Sequence, residues 1–160
     1  MGTPFTVSLI GWHDGEPLLK SIREVVFIRE QGIPEASEWD GLDENCRHAL
    51  ALSLQGDAIG CGRMRPDGHI RHIGHIRHIG HIGHIGHIGH IAVLPQWRKQ
   101  KVGTAIMEAL LDYARAHDYP RVSVDVQPRY VPFYRSLGFV EQGEASGNAA
   151  PPHSKMFLKF

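Results

Sequence analysis

A three-residue period occupies the middle of the chain. Histidines stand at His69, His72, His75, His78, His81, His84, His87 and His90, each followed by isoleucine, with glycine or arginine completing most units. In a strand, a period of three sends successive histidines to opposite faces. In an α-helix each step turns about 300°, so the histidines spiral round the axis, and each interior glycine costs about 1 kcal/mol. A tract that matches no packing period adds little to a core, so the fold has to be read from the sequence on either side of it. The turn Pro66-Asp67-Gly68 needs one strand after it, and a single His-Ile-x unit joined to Ala92-Val93 supplies that strand. Without the other seven units the chain keeps roughly 140 residues, still one ordinary domain. Residues 69–91 are therefore expected to be an expansion inserted at a hairpin, or a misrecorded stretch there, within a single domain spanning 1–160. The rival is a histidine array for zinc, copper or nickel, but a dedicated site needs fixed geometry and supporting partners. No metal is expected.

Outside the tract the periodicities are clear. Thr6 to Gly11 alternates as a strand. From Pro17 to Glu30, Leu18, Ile22, Val25 and Val26 fall on one helix face, with Pro17 in the first turn and Gly32-Ile33-Pro34 as the stop. Glu35 to Asn45 is acidic and is expected to be a loop or short helix. Arg47 to Gln55 and Ala58 to Met64 flank Gly56-Asp57 as a hairpin. Val102 to His117 is the strongest helix, with Val102, Ile106, Ala109, Leu110 and Tyr113 on its apolar face. Val122, Val124 and Val126 then alternate as a strand, Tyr130 to Leu137 forms a short helix stopped by Gly138, and Lys155 to Phe160 is a last strand. This order predicts an α/β or α+β sheet with one late parallel crossover.

Lys plus Arg and Asp plus Glu both number 17, for zero formal charge, which argues against a protein held on nucleic acid by bulk charge. Two cysteines are too few for a disulfide framework. No run approaches the roughly 18 apolar residues that cross a bilayer, and no signal peptide is evident. A cytoplasmic protein without membrane attachment is expected.

The chemistry concentrates after the tract. An apolar strand ends at Pro95, Arg98, Lys99 and Lys101 follow in a short loop, and the strong helix opens at Val102. The first turn of a helix offers unpaired N–H groups and a partial positive charge. A basic loop feeding them makes a site for a diphosphate, although a solvated basic loop gives the same charge pattern.

The segment Arg98-Lys99-Gln100-Lys101-Val102-Gly103 resembles the acyl-coenzyme-A-binding motif of the GNAT N-acetyltransferases, Gln/Arg-x-x-Gly-x-Gly/Ala between a strand and a helix. The fourth position, commonly glycine, is Lys101 here. A second register, Gln100 to Ala105, also satisfies the pattern but starts the loop nearer the helix, so the first is favoured. Val131-Pro132-Phe133-Tyr134-Arg135-Ser136-Leu137-Gly138-Phe139 resembles the late helix and strand of the same family. Phe27-Ile28-Arg29-Glu30-Gln31-Gly32-Ile33-Pro34, with Glu38-Trp39-Asp40, Asp43 and Pro152-His153, is similar to its ElaA-like branch.

The resemblance implies a mixed, mostly antiparallel twisted sheet flanked by helices, with splayed central strands, and an acetyl-CoA-dependent transfer of an acetyl group to a primary amine by direct attack. It implies coenzyme A contacts from Ile91, Ala92, Val93, Arg98, Lys99, Gln100, Lys101, Val102, Gly103, Thr104, Gln127 and Phe133. Backbone around Ile91 to Val93 would polarise the acyl carbonyl, and Tyr134 would protonate the departing thiolate. An alkylamine of pKa about 10.4 lies about 3.4 units above neutral pH, roughly 4.6 kcal/mol, so a base is implied. The candidates are Glu30, Glu38, Asp40, Asp43, Asp125 and His153, with Asp125 and His153 carried forward as base or acceptor contact. The acidic stretch around Glu38, Asp40 and Asp43 would suit a cationic amine, or it is a solvated loop. The acceptor implied is a small-molecule or peptide amine, a homodimer is left open, and the alternative function is a non-catalytic module that binds coenzyme A or acyl-CoA on the same fold.

Overall fold

The computed structural model describes residues 4–66, 85–141 and 154–160. The turn residues Asp67 and Gly68, the tract from 69 to 84, and Pro152 and His153 lie outside the described residues. Contacts group the chain into two compact units, Met1–Arg65 with His90–Tyr113, and Pro66–Gly89 with Ala114–Phe160.

In the first unit, β1 (Phe5–Ile10) leads into α1 (Trp12–Arg23), which continues as a π-helical segment, Glu24–Glu30. The short α2 (Glu35–Glu38) and a 3₁₀ turn at Asp43–Asn45 precede β2 (Arg47–Ser53) and β3 (Ala58–Pro66). β1 pairs antiparallel with β2 from Phe5 opposite Ser53 to Ile10 opposite His48. β2 pairs antiparallel with β3 from Arg47 opposite Met64 to Leu52 opposite Ala58. The expected hairpin is therefore present. β4 (Ile85–Val93) and α3 (Val102–Ala116) complete the unit's framework.

Side chains on one face of these strands meet α1. Leu50, Cys61 and Ala92 pack with Trp12, Leu19, Ile22, Val26 and Phe27. On the other face glycines make room for α3. A Cβ at Gly62 would lie 2.4 Å from Ile91 Cδ1 and 2.9 Å from Ile106 Cγ2, and one at Gly60 would lie 3.0 Å from Val102 Cγ1. Those two positions let α3 sit directly on β3.

In the second unit β5 (Arg121–Val126), α4 (Val131–Ser136), β6 (Val140–Glu141) and β7 (Ser154–Lys159) follow in order. β5 pairs antiparallel with β7 from Arg121 opposite Lys159 to Val126 opposite Ser154, and β6 adds antiparallel to β7. The first residues of β4 run parallel to β5, with Ile85, Gly86 and His87 opposite Arg121, Val122 and Ser123. That is the late parallel crossover expected from the sequence. Among the described residues the parallel ladder ends there, although β4 runs on to Val93 and β5 to Val126. The strand order is β1-β2-β3-β4 in one unit and β4-β5-β7-β6 in the other, seven strands with β4 common to both. This is the mixed, mostly antiparallel sheet flanked by helices.

Two expectations need correction, and one short strand was not foreseen. The first helix starts at Trp12, not Pro17, which lies inside it. Trp12 and Gly15 are buried there, and they rotate the buried face onto Leu19, Ile22 and Val26, leaving Leu18 40% exposed. The tract contributes more than one unit to the sheet, because its last residues form most of β4 and Ile88 is 4% exposed. β6 has only two residues, too few for any alternation to reveal.

Candidate active site

The basic loop is built from the end of β4. Leu94 N–H donates to the Ile59 carbonyl of β3 at 2.9 Å, a 3₁₀ turn covers Pro95–Trp97, and Arg98 to Lys101 turn the chain into α3. Lys99 and Lys101 both take left-handed backbone, at φ 62° and 68°. Lys101 therefore keeps the conformation for which glycine is the usual choice. Left-handed residues in such a turn gather successive N–H groups into an anion-binding concavity. The first helical hydrogen bond runs from Ala105 N–H to Lys101 O at 3.0 Å, so the N–H groups of Val102, Gly103 and Thr104 precede it.

Gly103 lacks a side chain for no internal reason. Its φ is not left-handed, and a Cβ there would meet only Val93 Cγ2, at 3.9 Å. The space over the first turn of α3 is open, as a group approaching the backbone requires. Lys99, Gln100 and Lys101 are exposed, and Gln100 Nε2 donates to Gln96 O at 3.0 Å. Arg98 forks onto Glu30, with Nη1 and Nη2 donating to its carboxylate at 2.7 and 2.6 Å, and Nε donates to the Val93 carbonyl at 2.9 Å. The Arg98 hydrogen bonds hold Glu30 below the usual carboxylate range, so Glu30 is an ionised partner rather than a base.

The acidic stretch is not a solvated loop, because its carboxylates are paired with arginines. Arg23, 1% exposed on the buried face of α1, donates from Nε to Glu38 Oε2 at 2.6 Å and from Nη1 to Asp43 Oδ1 at 2.7 Å. Arg63 on β3 donates to Asp43 Oδ1 at 2.8 Å and to Asp40 Oδ2 at 2.6 Å. Glu38 and Asp43 are buried with these cations because desolvated carboxylates require partners. Hydrogen bonds from Arg63 hold Asp40 down at about 2. Burial works to raise Asp43, but hydrogen bonds and charge from Arg23, then Arg63, outweigh it and its pKa is lowered.

Two histidines join this network. His48 is buried, with Nε2 2.9 Å from Asp43 O and its ring 5.3 Å from Trp12, and burial lowers its pKa. His90, the last histidine of the tract, has Nδ1 3.0 Å from Glu38 Oε2 and Nε2 3.9 Å from Asp40 Oδ2. Arg23, Arg63, His48 and His90 escape a motif search. The available signal was Arg23, four residues after Leu19 and one after Ile22, a cation on an apolar face.

In the second unit Tyr134 is half-buried on α4, edge-on to Phe133 at 5.1 Å and to Phe139 at 5.7 Å. Burial, then the Tyr130 phenol, pushes its hydroxyl up to about 12. Gly138 stops the helix in left-handed backbone at φ 101°. Gln127 caps the turn before α4, its carbonyl accepting from Tyr130 N–H at 2.9 Å. Asp125 is exposed and stands opposite Lys155 in the β5–β7 ladder, whereas Ser123, on the same strand, is buried and hydrogen-bonded to His87 Nδ1. His153 falls outside the described residues. Burial pushes Cys46 up to about 11 and Cys61 to about 12, so neither thiol is a nucleophile at neutral pH. Among the described residues no group of three or more His, Cys, Asp or Glu could hold a metal ion, and no helix is long and apolar enough to cross a membrane.

Comparison with known proteins gives the family and the fold. The chain is similar to the uncharacterized N-acetyltransferase YjcF of Bacillus subtilis (strain 168), 29% identical over 137 residues, covering 84% of this chain and 86% of that protein. Its fold is similar to that of Escherichia coli ElaA, with a TM-score of 0.77 at 22% identity over 97% of this chain and 99% of that one. It is also similar to an acyl-CoA N-acyltransferase from Pseudomonas aeruginosa, with a TM-score of 0.74 at 25% identity over 96% and 98% of the two chains. Residues 12–139 match the Acetyltransferase (GNAT) family, and the chain belongs to that family of acyltransferases.

Proposed function

We propose that the protein transfers an acetyl group from acetyl-CoA to a primary amine of a small molecule or peptide. The observation that carries this reading is the bend from Arg98 to Thr104. Two left-handed lysines, the N–H groups opening α3, and clear space above Gly103 together suit a diphosphate. Arg98, Lys99 and Lys101 supply charge, Gln100, Val102, Gly103 and Thr104 supply the loop and first-turn backbone, and Gln127 and Phe133 are further coenzyme A contacts.

The end of β4 has the second role. Backbone groups of Ile91, Ala92 and Val93 hold the pantetheine arm and polarise the acyl carbonyl, where preorganised N–H groups stabilise developing negative charge. The Val93 carbonyl already accepts from Arg98, so the diphosphate bend and the strand end are coupled. Tyr134 protonates the departing thiolate. A thiol of pKa about 8.5 leaves without much help, so a phenol of higher pKa contributes modestly. Asp125, exposed opposite Lys155, is assigned no more than an acceptor contact, and His153 stays a candidate base or acceptor contact.

A free-thiol release assay with acetyl-CoA and a panel of amines, run beside calorimetry, tests the proposal. Acceptor-dependent thiol release is the expected result. Binding of coenzyme A with no turnover on any amine would instead establish the non-catalytic module.

A further inference from the structure

His90 lies within β4 with φ 52°, immediately before Ile91 to Val93. A non-glycine residue in that region costs about 1–3 kcal/mol, and the tract carries glycines one and four residues earlier that would bear it freely. The strained backbone delivers the imidazole to two carboxylates. Nδ1 is 3.0 Å from Glu38 Oε2, and the Phe27 ring lies edge-on at 5.7 Å. Glu38 also accepts from Arg23 Nε. With Nδ1 donating to that carboxylate, the ring's other nitrogen, Nε2, is left as the acceptor. The nearest acceptor to Nε2, Asp40 Oδ2, is 3.9 Å away, too far for a direct hydrogen bond. The ring is 25% exposed. A primary ammonium set between Nε2 and Asp40 Oδ2 can donate to both.

We infer that His90 is the proton acceptor for the amine substrate, that Asp40 holds the ammonium beside it, and that the acceptors are alkylamines protonated at neutral pH. This rests on the acyltransferase reading above and deepens it. The ammonium gives one proton to Nε2, and the freed lone pair forms the C–N bond at the thioester carbonyl carbon. The C–S bond breaks, the sulfur takes up a proton, and the nitrogen sheds its second proton to leave a neutral amide. His90 returns its proton to solvent, for one net proton released per amide formed. Glu38 is a positioning residue, fixing the tautomer. The charged groups around the ring are Glu38 and Asp40, with Arg23 and Arg63 on their far sides.

The test is His90→Gly, which suits φ 52°, with His90→Asn as a second variant that tolerates left-handed backbone but has no basic nitrogen. At neutral pH, transfer to an alkylamine should fall about 100-fold while acetyl-CoA affinity stays within about twofold. The variant's rate should climb as pH approaches the amine's own pKa, and added imidazole should restore part of the rate to His90→Gly. Full rate in either folded variant overturns the assignment, as does a loss that neither pH nor imidazole relieves. A wild type that binds acetyl-CoA yet acetylates no amine overturns the transferase reading itself, and this assignment with it.

Discussion

Arg98 and Glu30 form a two-point ion pair across 68 residues of sequence, with both terminal guanidinium nitrogens on one carboxylate. The pair joins the end of the π-helical segment to the basic bend. It also means that a diphosphate drawing on Arg98 competes with Glu30 for the same fork. Arg98→Ala should weaken coenzyme A binding by about 1.5–3 kcal/mol, the range for a charge-assisted hydrogen bond. Glu30→Gln should tighten it a few-fold by releasing the fork. Calorimetry on both variants checks this, and unchanged affinity in both would remove Arg98 from the diphosphate site.

Tyr134→Phe should lower kcat by about 10- to 100-fold with coenzyme A affinity within about twofold. Because burial pushes the phenol up to about 12, it stays protonated from about pH 6 to about pH 10. The ratio of wild-type to variant rates should therefore stay flat across that range. A ratio of one at every pH would exclude an acid role.

The buried ion pairs predict how stability depends on pH. Asp40, at about 2, and Asp43 are both depressed below their unfolded values near 4. The unfolded chain then binds more protons over that interval, so their contribution is complete above about pH 4 and is lost as pH falls toward about 2. His48, lowered by burial, adds a loss that begins as pH falls below about 6.5. Thermal unfolding should show Tm declining in two stages on acidification. A flat Tm between about pH 6.5 and about 2 would contradict the network.

Arg23→Met should cost about 3–5 kcal/mol, because it leaves Glu38 and Asp43 buried without their shared cation. Adding Glu38→Gln should recover part of the loss. Chemical denaturation of the single and double variants measures both effects, and a neutral single variant would mean the charges are solvated.

Elements with a strong local period were legible in the sequence. Val102, Ile106 and Leu110 are spaced for one helix face and lie buried on α3, and Val122, Val124 and Val126 alternate as β5 requires. The basic bend was legible because its residues are contiguous. The Arg23–Glu38–Asp43–Arg63 network was not, since its hydrogen-bonded pairs lie 15 to 20 residues apart and meet only in the tertiary fold. His90 was hidden differently. The three-residue period assigned it to the tract, while its role is set by a backbone angle and a carboxylate 52 residues away. Pro17 misled because a proline suited to a first turn also sits within α1, whose start is fixed by the buried Trp12.

The most direct measurement is titration of acetyl-CoA into the wild-type protein and into Gly103→Val. A Cβ there would meet only Val93 Cγ2, at 3.9 Å, and the variant is expected to fold with its Tm preserved. The wild type should bind, and the variant should lose at least about tenfold in affinity, equivalent to about 1.4 kcal/mol. Equal affinity in the two proteins, or no binding by a folded wild type, would contradict the assignment of the Arg98–Thr104 bend to the coenzyme.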